Sequence, residues 1–326
     1  MKISREKLLQ ESEVTGFRPE IVEKVIHLLH LIESIFSHPL LKERFVLKGG
    51  TALNLFIFDL PRLSVDIDLI YIGGPQLEVM LKERPKIEEA LRAVCSREGF
   101  AVRRFPDEHA GGKWSLRYES AIEKGGDLGI DLNFMFRTPL LPIIAQDSRF
   151  VGSYKIEKIP VLDIYEISGG KLTALLARHA ARDLFDTHQL LTKSELDRER
   201  LRLAFVVYGA MNRKDWRTVS VDDLRFDAGE IENQLIPLLR REFLSNIARP
   251  TEWAKRLVEE CQTSLKIVLP LSEPELEFLN RLLDHGEIQP SLLTSDNNLA
   301  ECIRHHPLLE WKAKNVRQYK KIYSSR

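Results

Sequence analysis

Apolar positions near the start of the chain recur at three- and four-residue spacing. Ile21, Val22, Val25, Ile26, Leu29 and Ile32 predict an amphipathic helix with one face for a core. The period then changes: from Phe45 the chain reads as a short extended segment, Gly49 and Gly50 interrupt it, and a helix is expected to begin near Thr51. From Ser64 to Ile72 the alternation is that of a strand, with Val65, Ile67 and Leu69 on one face and Ser64, Asp66 and Asp68 on the other. Helical spacing resumes from Gln76 to Glu98, where Leu81, Ile87, Leu91 and Val94 are ordinary core positions. Three extended candidates follow at 101–105, 114–120 and 128–136. From about Asp163 the pattern turns helical and stays so; Ser272 to Glu275 forms a capping box ahead of Leu276, Leu279, Leu282 and Leu283, with Gly286 placed as a C-cap. The fold class this predicts is α/β (α+β), a mixed sheet with helices followed by a mostly α-helical C-terminal domain, divided at 1–160 and 161–326.

Composition narrows the picture only in places. A length of 326 residues supports two domains. Basic and acidic residues balance at 48 each, so attraction to a polyanion has to come from a local patch. Cys95, Cys261 and Cys302 are scattered without metal or disulfide spacing, which fits a reducing cytoplasm. The longest apolar run, Leu203 to Met211, is too short to cross a bilayer, and no membrane association is expected. No histidine pair shows metal-ligand spacing.

The candidate chemistry is acidic. Two aspartates at i and i+2 on a strand share a face about 7 Å apart. At about 5 Å two such charges repel by roughly 3 kcal/mol at an effective dielectric of 20. A divalent cation removes that cost. Asp131 and Asn133 repeat the design on a second strand opposite Ile130, Leu132 and Phe134, so three carboxylates meet if the two strands are neighbours. Oxygen donors of this kind suit Mg²⁺ or Mn²⁺, which bind through a few carboxylates plus phosphate oxygens and water. An isolated Asp-x-Asp is more often a solvated strand face, so context decides.

That context is a family pattern. Lys48-Gly-Gly-Thr-Ala-Leu followed by Arg62-Leu-Ser64-Val-Asp66-Ile-Asp68-Leu resembles the signature of the nucleotidyltransferase superfamily, and more closely its AbiEii group, the toxins of abortive-infection E toxin–antitoxin systems. Lys171, Arg178, Arg182, Asp183 and Asp186 match that group's later Lys-bearing helix and Arg-Asp-x-x-Asp segment. The resemblance runs from about residue 44 to 191 and does not reach the last third. It implies a nucleotidyltransferase-like fold in which Gly49, Gly50 and Thr51 hold a nucleoside triphosphate (NTP) substrate, with Lys48, Arg62 and Ser64 flanking it. It further implies Asp66, Asp68 and Asp131 as metal ligands for Mg²⁺ (or Mn²⁺), and Asp131 as the group that helps deprotonate the acceptor. Lys171 would bind phosphate or steady the transition state, and Asp183 would close the site by orienting Lys171 or the base. Spacing alone instead makes Lys171 a solvated helix residue and Arg182–Asp186 an ordinary intrahelical pair.

The implied activity is transfer of a nucleoside monophosphate to the 3′ end of tRNA, in a toxin with a cognate antitoxin partner and a role in phage defence. Two other accounts stay open: a small-molecule nucleotidyltransferase of the aminoglycoside type, and a non-catalytic nucleotide-binding module. The basic, aromatic segment from Trp311 to Arg326, with Tyr319 and Tyr323, is either an RNA-binding strip or a charged terminal helix.

Overall fold

The computed structural model describes residues 3–59, 61–106 and 110–324. The chain divides into two units. The first comprises Met1–Arg137, Ile143–Leu162 and Asn233–Ala248; the second comprises Thr138–Pro142, Asp163–Glu232 and Arg249–Arg326.

The first unit is built on a seven-stranded sheet: β1 (Phe45–Leu47), β2 (Asp66–Tyr71), β3 (Ala101–Arg104), β4 (Gly111–Tyr118), β5 (Gly126–Asn133), β6 (Ile144–Gln146) and β7 (Ile159–Val161), in the order β3-β4-β5-β2-β1-β7-β6. The sheet is mixed, because β2 runs parallel to β5 and β1 parallel to β7 while the remaining pairs are antiparallel. The helices of its N-terminal segment are α1 (Arg5–Thr15), α2 (Pro19–Ser37), α3 (Gly49–Ala52) and α4 (Leu77–Arg97), α3 continuing as one π-helical turn over Leu53–Ile57. Pro19 opens α2, where its missing N–H costs nothing. That helix buries Val22, Val25, Ile26, Leu28, Leu29, Leu31, Ile32 and Ile35 against β2, β5 and α4. Each such side chain contributes about 1.5–3 kcal/mol, so a single Leu28→Ala cavity would cost roughly 2–5 kcal/mol.

Alternation then fixes the two faces of the sheet. Ile67 and Leu69 of β2, Ile130 and Leu132 of β5, and Trp114 and Leu116 of β4 are all buried. Their neighbours in sequence, Asp66, Asp68, Asp131, Lys113 and Arg117, carry the opposite face. The strands read at 114–120 and 128–136 are shifted toward their N-termini, starting at Gly111 and Gly126. Two strands not expected from the sequence, β6 and β7, are three residues each, too few to show a period, and no glycine turn beside them marks them as the one after β1 does. Asn233–Ala248 also rejoins this unit far along the chain: Leu63 N donates to Leu238 O at 3.0 Å and Arg240 N to Pro61 O at 2.9 Å.

The regular elements of the second unit are all helical among its described residues, beginning with α5 (Ile164–Arg178), α6 (Ala181–Lys193) and α7 (Arg198–Ala210). Asp163 caps α5 by accepting from Tyr165 N at 2.9 Å, and His179 ends it in the left-handed region at φ 56°. Gly169 lets α5 lie close to α7, since a Cβ there would stand 2.8 Å from the Ala204 carbonyl carbon. The Ser272–Glu275 capping box forms, and Gly286 closes the following turn at φ 68°, both as the sequence led us to expect. No described helix is long and apolar enough to cross a membrane.

Candidate active site

Parallel pairing of β2 with β5 sets the register Asp66↔Gly129 and Asp68↔Asp131, and antiparallel pairing of β5 with β4 adds Asp131↔Lys113. Paired residues point to the same face, so Asp66, Asp68 and Asp131 share one patch of sheet with their backbones about 5–8 Å apart. Asp66 and Asp68 are half-buried and Asp131 is exposed.

The glycine turn is strapped against this patch. Lys48 N donates to Asp68 O at 3.0 Å, and the buried Thr51 hydroxyl donates to the carbonyl oxygen of Asp66. Gly49 adopts φ +72°, and a Cβ on it would lie 2.2 Å from Asp68 Oδ2. Glycine is therefore required twice, once by the backbone and once by the carboxylate resting on it. Asn54 Nδ2 closes the turn on Gly50 O at 2.6 Å.

The flanking residues divide by exposure. Thr51 already has a carbonyl acceptor, so the turn's backbone is left as its main resource for an anion. Arg62 is 2% exposed and donates to Leu63 O at 3.0 Å, a packing arrangement that keeps its guanidinium inside; Ser64 is also buried. Lys48 is half-buried, with Nζ 5.2 Å from the centre of the Phe136 ring.

Lys113 is the residue sequence reasoning missed. Its Nζ lies 2.9 Å from Asp66 Oδ1. The polar position beside Trp114 was visible in the alternation, but only the hairpin register shows that it faces the aspartates.

In the second unit, Lys171 is buried, with Nζ 3.0 Å from Asp183 Oδ1 and 2.8 Å from Asp186 Oδ2. Arg178 Nε adds a 2.6 Å contact to Asp183 Oδ2. The solvated Lys171 that spacing favoured is thereby corrected: a helix turn places α6 over that face of α5, and Asp186 turns to Lys171. Burial alone would raise the Asp183 pKa, but Lys171 and Arg178 outweigh it and hold the carboxyl down at about 2. Glu166 behaves oppositely: burial pushes it up to about 7 despite hydrogen bonds from Leu141 N at 2.9 Å and the Tyr208 hydroxyl at 2.9 Å.

The C-terminal strip is partly structural. Lys312 Nζ donates to Ala210 O at 2.7 Å and Asn212 O at 2.5 Å, and burial lowers its pKa to about 8. Arg317 donates to Gly286 O at 2.6 Å, while Lys314, Tyr319 and Lys320 are exposed. The Tyr323 side chain and residues 325–326 of that segment lie outside the described residues.

Whether this patch suits a metal turns on its donors. Among the described residues no three His, Cys, Asp or Glu side chains are gathered closely enough to cage an ion by themselves. Mg²⁺ does not need such a cage, since it keeps waters and takes phosphate oxygens beside one or two carboxylates. Hard carboxylate oxygens on one face fit it.

Comparisons with known proteins bear on the family. Residues 30–272 match the family model described as nucleotidyl transferase AbiEii toxin, type IV TA system. Among solved structures the chain is similar to MenT4, a nucleotidyltransferase toxin from Mycobacterium tuberculosis H37Rv, with a TM-score of 0.59, 17% identity, 97% of this chain covered and 100% of that one. No curated protein matches. The family match reaches about 80 residues beyond the resemblance read from motifs, which stopped near residue 191.

Proposed function

We propose, from the premise that this chain belongs to the AbiEii family of nucleotidyltransferase toxins of type IV toxin–antitoxin systems, that its reaction takes place on the Asp66–Asp68–Asp131 face. The family implies an NTP substrate and an antitoxin in the same system. The finer reading is that the chain transfers a nucleoside monophosphate to the 3′ end of tRNA with Mg²⁺ (or Mn²⁺). The observation that carries the site is the β2–β5 register, which puts three carboxylates beside the Gly49 turn.

In this reading Asp66, Asp68 and Asp131 hold the cation, and Gly49 and Gly50 let the backbone approach the triphosphate closely. A bound divalent cation would neutralise phosphate charge and favour ionisation of the acceptor hydroxyl. Asp131, the exposed carboxylate, takes the proton as the acceptor oxygen bonds to the α-phosphorus and the bond to pyrophosphate breaks. Lys171, oriented by Asp183, is assigned to phosphate binding, where electrostatic positioning is the main resource. Arg62 is given no part in substrate contact because it is buried, with its guanidinium donating to the Leu63 carbonyl.

An RNA acceptor is favoured over a cationic drug by charge on the adjoining strands: Arg103 and Arg104 of β3 and Lys113 of β4 are exposed. Incubation of the protein with Mg²⁺, α-labelled NTPs and total cellular RNA should label tRNA. Asp66→Ala should abolish both labelling and growth arrest. Undiminished labelling by that variant would remove the site, and label confined to small molecules would move the acceptor.

A further inference from the structure

Lys113 reaches Asp66 across an entire strand. It stands on β4, Asp66 on β2, and β5 runs between them, a span of roughly 9–10 Å at ordinary strand spacing. The gap it crosses is Gly129, the residue paired with Asp66 on one side and Ser115 on the other. A Cβ on Gly129 would stand 2.4 Å from Lys113 Cε and 2.6 Å from Asp66 Oδ1, so any side chain there would break the contact from both ends. The absence of a side chain at this register position opens the path, and the lysine fills it.

The contact is half open to water, with side-chain exposures of 58% for Lys113 and 25% for Asp66. A pair of that kind contributes little to folding. Its main consequence is electrostatic: it keeps one positive charge on a carboxylate that the proposed function assigns to a divalent cation. From this geometry we infer that Lys113 is an internal counter-ion of Asp66 that competes with the divalent cation and must leave that carboxylate for the cation to be held. The inference rests on the metal site proposed above. A free cation arriving alone has to displace the ammonium into water. A cation arriving with a triphosphate offers the displaced ammonium an anionic partner, so Lys113 makes cation retention depend on the nucleotide, and the coupling acts equally in both directions. Lys113 is thus a positioning residue for Asp66.

The test is Mn²⁺ binding to the full chain without nucleotide, followed by electron paramagnetic resonance of the free ion. Lys113→Met should bind Mn²⁺ about tenfold more tightly than the wild type, because one cation no longer repels the other. Lys113→Arg, which keeps the charge, should stay within about twofold of the wild type. A purely structural role for Lys113 predicts weaker binding in the methionine variant, so the sign separates the two. Lys113→Met affinity equal to or below wild type, with Asp66→Asn losing the ion, overturns the counter-ion role and leaves the metal site standing. Unchanged Mn²⁺ binding by Asp66→Asn overturns the metal site itself, and the role of Lys113 with it.

Discussion

The two units handle charge in opposite ways. In the first, three carboxylates lie on a half-open sheet face with one exposed lysine against them. In the second, Lys171, Arg178, Asp183 and Asp186 form a set of two cations and two anions, with Lys171, Asp183 and Asp186 buried. Carboxylates on a face open to water can take on an external cation, whereas buried carboxylates hold one ammonium in one orientation. The difference teaches where loss of function and loss of stability should separate.

The largest expected effect tests the open side. Asp68→Asn should lower nucleotide transfer by at least about 10³-fold, the scale of several kcal/mol of metal-assisted charge stabilisation. Its melting temperature should stay near wild type, since the side chain keeps its shape on a half-open face; substantial activity in this variant would break the comparison. Lys171→Met should do the reverse in stability, costing roughly 3–5 kcal/mol in denaturant titration, because Asp183 and Asp186 are left buried without it. A variant as stable as wild type would show the buried set to be looser than its distances imply.

Two pH effects sharpen the second unit further. Glu166 has its pKa raised from 4.5 to about 7, so the unfolded chain ionises first and stability falls as pH rises from about 4.5 to 7. Glu166→Gln should flatten that fall, a difference on the order of 3 kcal/mol at pH 8 by chemical denaturation. Asp183 is depressed from 3.8 to about 2, so its contribution is present above about pH 4 and disappears as pH drops through 2. Roughly 2 kcal/mol of acid sensitivity between pH 4 and 2 should therefore be missing from Asp183→Asn. A first-unit variant such as Asp131→Asn should leave both profiles unchanged.

Local pattern was enough for much of this molecule. Period-two alternation placed Asp66, Asp68 and Asp131 on polar strand faces opposite Ile67, Leu69 and Leu132, because side chains on a strand must alternate whatever the partner strand is. Two glycines ahead of a helical run marked the turn, and a Ser-x-x-Glu spacing marked a cap, since both are satisfied within a few residues of chain. The order of these motifs also sufficed to name the family.

Tertiary structure decided what depends on pairing. Whether β2 and β5 are neighbours, in which register, and whether Lys113 therefore faces the aspartates are matters of long-range hydrogen bonding that one strand's alternation does not contain. The same holds for Lys171, whose spacing on α5 looked like a solvated position until α6 folded two carboxylates over it. It holds again for Arg62, a charged residue in a functional-looking motif that packing placed inside. Sequence sets which face a side chain occupies through the geometry of its own few residues; burial and partners come from segments tens of residues away, and those set its charge state and its use.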